Sequence, residues 1–332
     1  MKNITIIGTG AYGTVLANVL ADNDHKVVMY GIDEDQVNDI NDNKKNSVFF
    51  KDLLLNKEIK ATTDLSAALE KTEILVLGVP TLAIEKVISE IKKYAKKSMI
   101  IINVAKGLDE NNLDVLSKKV IKLFEGTNIL KAYGALFGPS VAIEVIQRKP
   151  TCIMSCSEDI KVAQEIAEVF NNEYFRVLPT TDLKGCEISA ALKNTVAIAS
   201  GILFGFEGSD NSKASLITIG NNEIMKLGMA YGARIETFTN FACLGDLILT
   251  ATSHKSRNFS LGMEIAKAND AQKVLSNYGF TVEGVTACKI AHQMALKAKI
   301  HLPLFEIMYQ ILYNNSVPSA TINNIFSDII LV

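Results

Sequence analysis

Through residue 180, short β-branched apolar runs alternate with amphipathic stretches of helical period. This is the pattern of repeated βαβ units, and it predicts a mostly parallel sheet. The strand candidates are residues 4–7, 26–30, 59–62, 74–79, 99–104, 132–137, 152–155 and 175–178. Two of them, in ILVLGV and MIIINV, are almost continuously hydrophobic, as strands covered by helices on both faces should be, so they are expected at the sheet centre. Residues 42–60 mix charge and asparagine with Phe49 and Phe50, both exposed-looking, and read as a long irregular excursion.

Beyond residue 182 strand alternation stops and helical periodicity takes over, punctuated by glycine, asparagine and proline. The spacing predicts helices over 183–205, 211–230, 234–239, 259–268, 270–276, 283–298 and 303–313. The chain therefore divides near PTTDLKG into an α/β domain, residues 1–182, and an all-helical domain, residues 183–332. The fold class is α/β, a mostly parallel sheet domain followed by helices. The most apolar long window, 188–206, is broken by Lys193, Asn194, Gly201 and Gly205, which suits a buried core helix better than a membrane span.

Composition narrows the function classes. With 332 residues, 48% of them hydrophobic, two domains can each bury a core. A balance of 34 basic against 36 acidic residues gives no global pull toward nucleic acid or anionic membrane, so any anion binding must be local. The opening MKNITIIGTG enters a strand pattern with no signal-like leader, which leads us to expect a cytoplasmic protein. The 5 cysteines lack CxxC spacing and are expected to be reduced, and the 4 histidines form no metal-ligand spacing, so no metal site is expected.

Candidate chemistry begins with Gly8-Thr9-Gly10-Ala11-Tyr12-Gly13, between a strand and a helix. The first glycine suits a tight turn, the second lets a pyrophosphate approach the backbone, and the third permits close helix packing. The helix amino terminus adds amide donors and partial positive charge. Asp33 ends the second strand, where a carboxylate meets ribose hydroxyls of NAD; it could equally cap the next helix. No lysine or arginine follows before Lys44, so NAD should be at least tolerated. Lys106, in NVAKG after a buried strand, is either a ligand at the carboxyl end of the sheet or a surface lysine. GPSVA, residues 138–142, offers backbone amides at the same end or simply starts a helix.

The helical half contributes Lys193-Asn194 in ALKNTVAIASG, Asp246 in LGDLILT, and Ser256-Arg257-Asn258. A lysine in an apolar stretch either snorkels toward water or is buried against a carboxylate, for which Asp246 is the candidate.

Taken in order, IIGTGAYGTVLA, ILVLGVP, VAKGL, FGPSVAIE, ALKNTVAIASG, LGDLILT with SRN, and TVEG resemble the bacterial soluble NAD(P)-dependent glycerol-3-phosphate dehydrogenase family over essentially the whole chain. The resemblance implies a Rossmann-type domain, a helical domain and an active site in the cleft. It implies reversible reduction of dihydroxyacetone phosphate to sn-glycerol 3-phosphate with NAD or NADP, for phospholipid synthesis, by a homodimer that inserts in no membrane and binds no nucleic acid. By position, Lys193 matches the family's acid/base. Lys106, Gly138, Ser140, Asn194, Asp246, Ser256, Arg257 and Asn258 match substrate contacts. Ala11, Tyr12, Lys106, Ala142, Arg257, Thr281 and Glu283 match the cofactor lining, and join Gly8, Gly10, Gly13 and Asp33, the cofactor-binding candidates of the glycine loop and second strand. Arginine or histidine is frequent in the family where Ile32 stands. The nearest rival is a β-hydroxyacid or ketopantoate-reductase type of dehydrogenase, against which SRN after LGD favours a phosphorylated substrate. A nucleotide-binding regulator without catalysis is a second rival, against which Lys106, Lys193, Asp246 and Arg257 are all present.

Overall fold

In a computed structural model, residues 1–278 and 282–327 are described, and they form two compact units. One comprises residues 1–105 with 117–183, the other residues 106–116 with 184–332.

The first unit is built on one sheet of β1 (Asn3–Ile7), β2 (Lys26–Tyr30), β3 (Lys60–Thr62), β4 (Ile74–Leu77), β5 (Met99–Asn103), β8 (Leu130–Phe137), β9 (Thr151–Cys156) and β10 (Phe175–Thr180). β6 (Leu108–Asp109) and β7 (Asp114–Val115) form a separate antiparallel pair. The sheet order is β10-β9-β8-β5-β4-β1-β2-β3, parallel except where β8 meets β9. The eight sequence runs are thus the eight strands. Every residue of β4 and β5 is buried, which explains their unbroken apolar sequences. Because β1 pairs in parallel with both β2 and β4, the order reverses beside β1, and a ligand crevice belongs at its carboxyl end.

The excursion at 42–60 is less irregular than expected. A π-helical turn, Asp39–Asn43, leads into it, and a short helix, Ser47–Phe50, lies within it. Phe49 stays 44% exposed, but Phe50 is buried in the core of this unit, contrary to its reading as an exposed pair. Asn46 fixes the segment by donating through Nδ2 to the Thr9 carbonyl and the Thr14 hydroxyl.

The second unit centres on the helix Leu183–Glu207. It is long and apolar enough to cross a bilayer, yet 89% of its most apolar window is buried in protein. The helices Asp210–Ala230, Arg257–Ala268, Glu283–Ala298 and Pro303–Tyr313 join it in one apolar cluster, together with Leu108 and Val115 of the small hairpin. The sequence patterning missed the membership of that hairpin: two-residue strands carry no periodicity, and only their packing assigns them.

A glycine contact fixes the crossing of two helices here. A Cβ on Gly201 would stand 2.1 Å from the Phe259 carbonyl oxygen, and one on Gly262 would stand 2.2 Å from that of Ile198. Gly201→Ala should therefore force the Arg257–Ala268 helix outward and cost about 1–3 kcal/mol, as overpacking does. Urea unfolding monitored by circular dichroism would check this, and an unchanged midpoint would contradict the contact.

Candidate active site

The glycine loop follows β1. Gly8 has φ +113°, its N–H donates to the Tyr30 carbonyl at 2.8 Å, and a Cβ there would lie 2.6 Å from the Gly78 oxygen. A Cβ on Gly13 would lie 2.6 Å from the Gly8 oxygen, so both positions are dictated by backbone packing. Gly10 differs, because a Cβ there would meet no protein atom within 4 Å. The lack of a side chain at Gly10 is not explained by packing, and it leaves the start of the Ala11–Asp22 helix open to a bulky anion. Its N-cap, Gly10, supplies no side-chain cap. These features fit a dinucleotide pyrophosphate.

Other predicted residues surround the same loop. The Tyr12 hydroxyl lies 3.0 Å from Ser140 Oγ, which also donates to the Gly138 carbonyl at 3.1 Å, so the GPSVA turn is tied to the glycine helix. Ala142 opens the short helix Ala142–Ile146. Asp33 caps the helix Glu34–Asn38, its Oδ1 accepting from the Gln36 amide at 3.1 Å.

In the helical unit, Lys106, Lys193 and Asp246 meet. Lys193 Nζ stands 2.5 Å from Asp246 Oδ1, and Lys106 Nζ donates to Oδ2 of the same carboxylate at 3.1 Å. Lys193 and Asp246 are each only 2% exposed, whereas the Lys106 side chain is 27% exposed. Lys193 does not snorkel. Its depth is compensated by Asp246 and by Thr250, whose Oγ1 accepts from Nζ at 2.6 Å and donates to the Asp246 carbonyl at 2.6 Å. Thr250 sits one helical turn beyond Asp246 on the Asp246–Thr252 helix. The signal for it in the sequence is the i to i+4 spacing of Asp246 and Thr250 in LGDLILT, which puts both on one face.

The electrostatics follow from this burial. Desolvation, reinforced by the charge of Lys106 and opposed by Asp246, brings the Lys193 ammonium down to about 7. Burial works against the Asp246 carboxylate, but Lys106 and Lys193 together hold it below its ordinary value. The result is an ammonium poised to lose its proton near neutrality beside a carboxylate that stays charged.

Asn194, next along the helix, donates through Nδ2 to Glu283 Oε2 at 3.2 Å. Asn258 Oδ1 accepts from the Gly284 amide at 3.2 Å. A Cβ on Gly284 would stand 2.7 Å from both the Asn194 carbonyl and Asn258 Oδ1, so ALKN, SRN and VEG converge at that glycine. Ser256 caps the Arg257–Ala268 helix by accepting from the Phe259 amide, and Arg257 is exposed at its first position. Thr281 lies outside the described residues. All 5 cysteines are free, and four of them are buried.

Comparison with known proteins agrees with this geometry. Residues 3–163 match the family model described as the NAD-dependent glycerol-3-phosphate dehydrogenase N-terminus, and residues 182–323 match the corresponding C-terminus. The chain is 59% identical to a glycerol-3-phosphate dehydrogenase [NAD(P)+] of Mesoplasma florum over 331 residues, covering 100% of this chain and 99% of the relative. It is 39% identical to one from an Exiguobacterium species, covering 96% of this chain and 93% of the relative. The crystal structure of glycerol-3-phosphate dehydrogenase from Coxiella burnetii superposes with a TM-score of 0.88 at 30% identity, covering 98% of both chains. With the glycine loop, the buried Lys193–Asp246 pair and these full-length matches in agreement, the chain belongs to the NAD(P)+-dependent glycerol-3-phosphate dehydrogenase family of oxidoreductases.

Proposed function

We propose that the chain interconverts dihydroxyacetone phosphate and sn-glycerol 3-phosphate with Lys193 as general acid and base. The observation that carries this reading is a buried lysine held by Asp246 and Thr250, a burial that draws its ammonium down toward neutrality. A bound nicotinamide dinucleotide supplies or accepts the hydride, and the glycine loop with Tyr12 and Ala142 would hold it. During reduction negative charge grows on the carbonyl oxygen, and Lys193 donates a proton to it; during oxidation neutral Lys193 removes the hydroxyl proton. Lys106, bonded to the same carboxylate, keeps a positive charge near the developing oxyanion. Asp246 fixes both ammonium groups.

Arg257 offers the planar fork suited to a phosphate, and Ser256 and Asn258 flank it. Arg257→Ala should raise KM for dihydroxyacetone phosphate by roughly 10- to 100-fold, the worth of a charge-assisted hydrogen-bond pair. Steady-state kinetics with this substrate, beside a non-phosphorylated ketone that should not respond, would check it. An unchanged KM would put the phosphate elsewhere. On this reading the product feeds phospholipid synthesis, and the enzyme works in the cytoplasm as a homodimer.

A further inference from the structure

We infer that the dinucleotide site discriminates against NADPH by charge, through an acidic turn after β2, and so selects NADH. This rests on the dehydrogenase reading above. Between Gly31 and Asn43 the chain carries Asp33, Glu34, Asp35, Asp39 and Asp42 and no lysine or arginine. On the neighbouring strand β3, the turn beyond Thr62 adds Asp64, the cap of the helix Leu65–Leu69.

The turn is held against the glycine loop rather than merely near it in sequence. The Tyr30 carbonyl accepts from the Gly8 amide at 2.8 Å, and the Gly31 amide donates to the Thr62 carbonyl at 3.1 Å. A Cβ on Gly31 would stand 2.5 Å from Thr9 Cγ2, and Thr9 Oγ1 donates to Gln36 Oε1 at 2.6 Å. In Rossmann sites the group at this position meets the adenosine ribose. A 2′-phosphate there brings nearly two negative charges into a turn that already carries Asp33, Glu34 and Asp35.

Helix capping accounts for part of this acidity, since carboxylates suit a helix amino terminus. It does not account for the missing cation. Where one could stand, Ile32 projects into solvent at 87% exposure, an apolar side chain able to cover an adenine face but not to pair with phosphate. The nearest following bases are Lys44 and Lys45, and Lys45 is paired with Asp52 at 3.1 Å. Among the described residues, Asp33 Oδ2 accepts no hydrogen bond, so it remains available to ribose hydroxyls.

The test is direct binding without substrate. Calorimetric titration of NADH and NADPH into the full chain should give an affinity for NADPH roughly 100-fold weaker, as expected when a multiply charged phosphate lacks a partner and faces like charge. Raising the ionic strength should narrow the gap, because repulsion at an exposed turn is screened. The double substitution Glu34→Gln with Asp35→Asn should narrow it by about tenfold with NADH binding unchanged, and Ile32→Arg should strengthen NADPH binding further. Thermal melts of both variants would verify folding. Equal affinities, or a gap indifferent to salt and to both variants, would overturn the inference while leaving the dehydrogenase reading intact. Failure to bind either dinucleotide would overturn both.

Discussion

Lys193→Ala is expected to lose most of its turnover while binding the reduced dinucleotide normally. Proton donation by a positioned side chain typically contributes ~10²–10⁴-fold, and among the described residues Lys193 is the one buried lysine. Lys106 is the obvious substitute, but it lacks the burial of Lys193, its side chain being 27% exposed and bonded to Asp246 Oδ2. The loss should fall on kcat rather than on cofactor affinity, because the glycine loop belongs to other elements. Steady-state rates combined with dinucleotide titration would check this. A variant retaining more than about a tenth of the wild-type kcat would contradict the role.

Asp246→Asn should produce the second large effect, on stability as well as rate. The substitution keeps the shape of the side chain but leaves the buried Lys193 without its counter-charge, and removes the partner of Lys106. Breaking a buried pair from one side costs about 3–5 kcal/mol. The sign with pH is determined by the lysine. Burial already lowers its affinity for a proton, and without Asp246 that affinity falls further, so protonating Lys193 costs folded-state stability that leaving it neutral does not. The variant should therefore be destabilised more in mild acid than in mild alkali. Urea denaturation on either side of neutrality would check this; stability equal to wild type at both would mean that the pair is not a true buried couple.

The sheet was legible because strands buried on both faces, such as β4 and β5, write their environment directly into unbroken apolar runs. The core helix Leu183–Glu207 was legible for the same reason, and its two polar residues stood out against it. What sequence could not supply were contacts between segments far apart in the chain. Thr250 became visible only when Lys193, 57 residues away, was found bonded to it. Glu223 is a sharper case. No motif in NNEIMKLG marks it, yet it is 4% exposed and accepts from the Leu304 and Phe305 amides at 2.8 and 3.2 Å, with burial pushing its carboxyl up to about 7. A carboxylate capping a helix 81 residues distant leaves no local pattern. The exposed reading of Phe50 failed in the same way, since its neighbours Val48 and Phe49 are exposed and only the turn at Ser47–Phe50 directs its ring inward.

If one buried lysine gives and takes the substrate proton near neutral pH, the two directions of the reaction should have opposite pH dependences. Reduction needs protonated Lys193, so its kcat/KM should be full below the lysine's value of about 7 and fall as the pH rises through it. Oxidation needs neutral Lys193, so its kcat/KM should rise through the same region and level off above it. Titration of the substrate phosphate would move both directions in the same sense and so cannot imitate the crossing. Measuring kcat/KM in both directions across neutral pH is the most direct test. Mirror-image profiles crossing near neutrality are expected, and profiles that do not bend there would contradict the proton-donor role of Lys193.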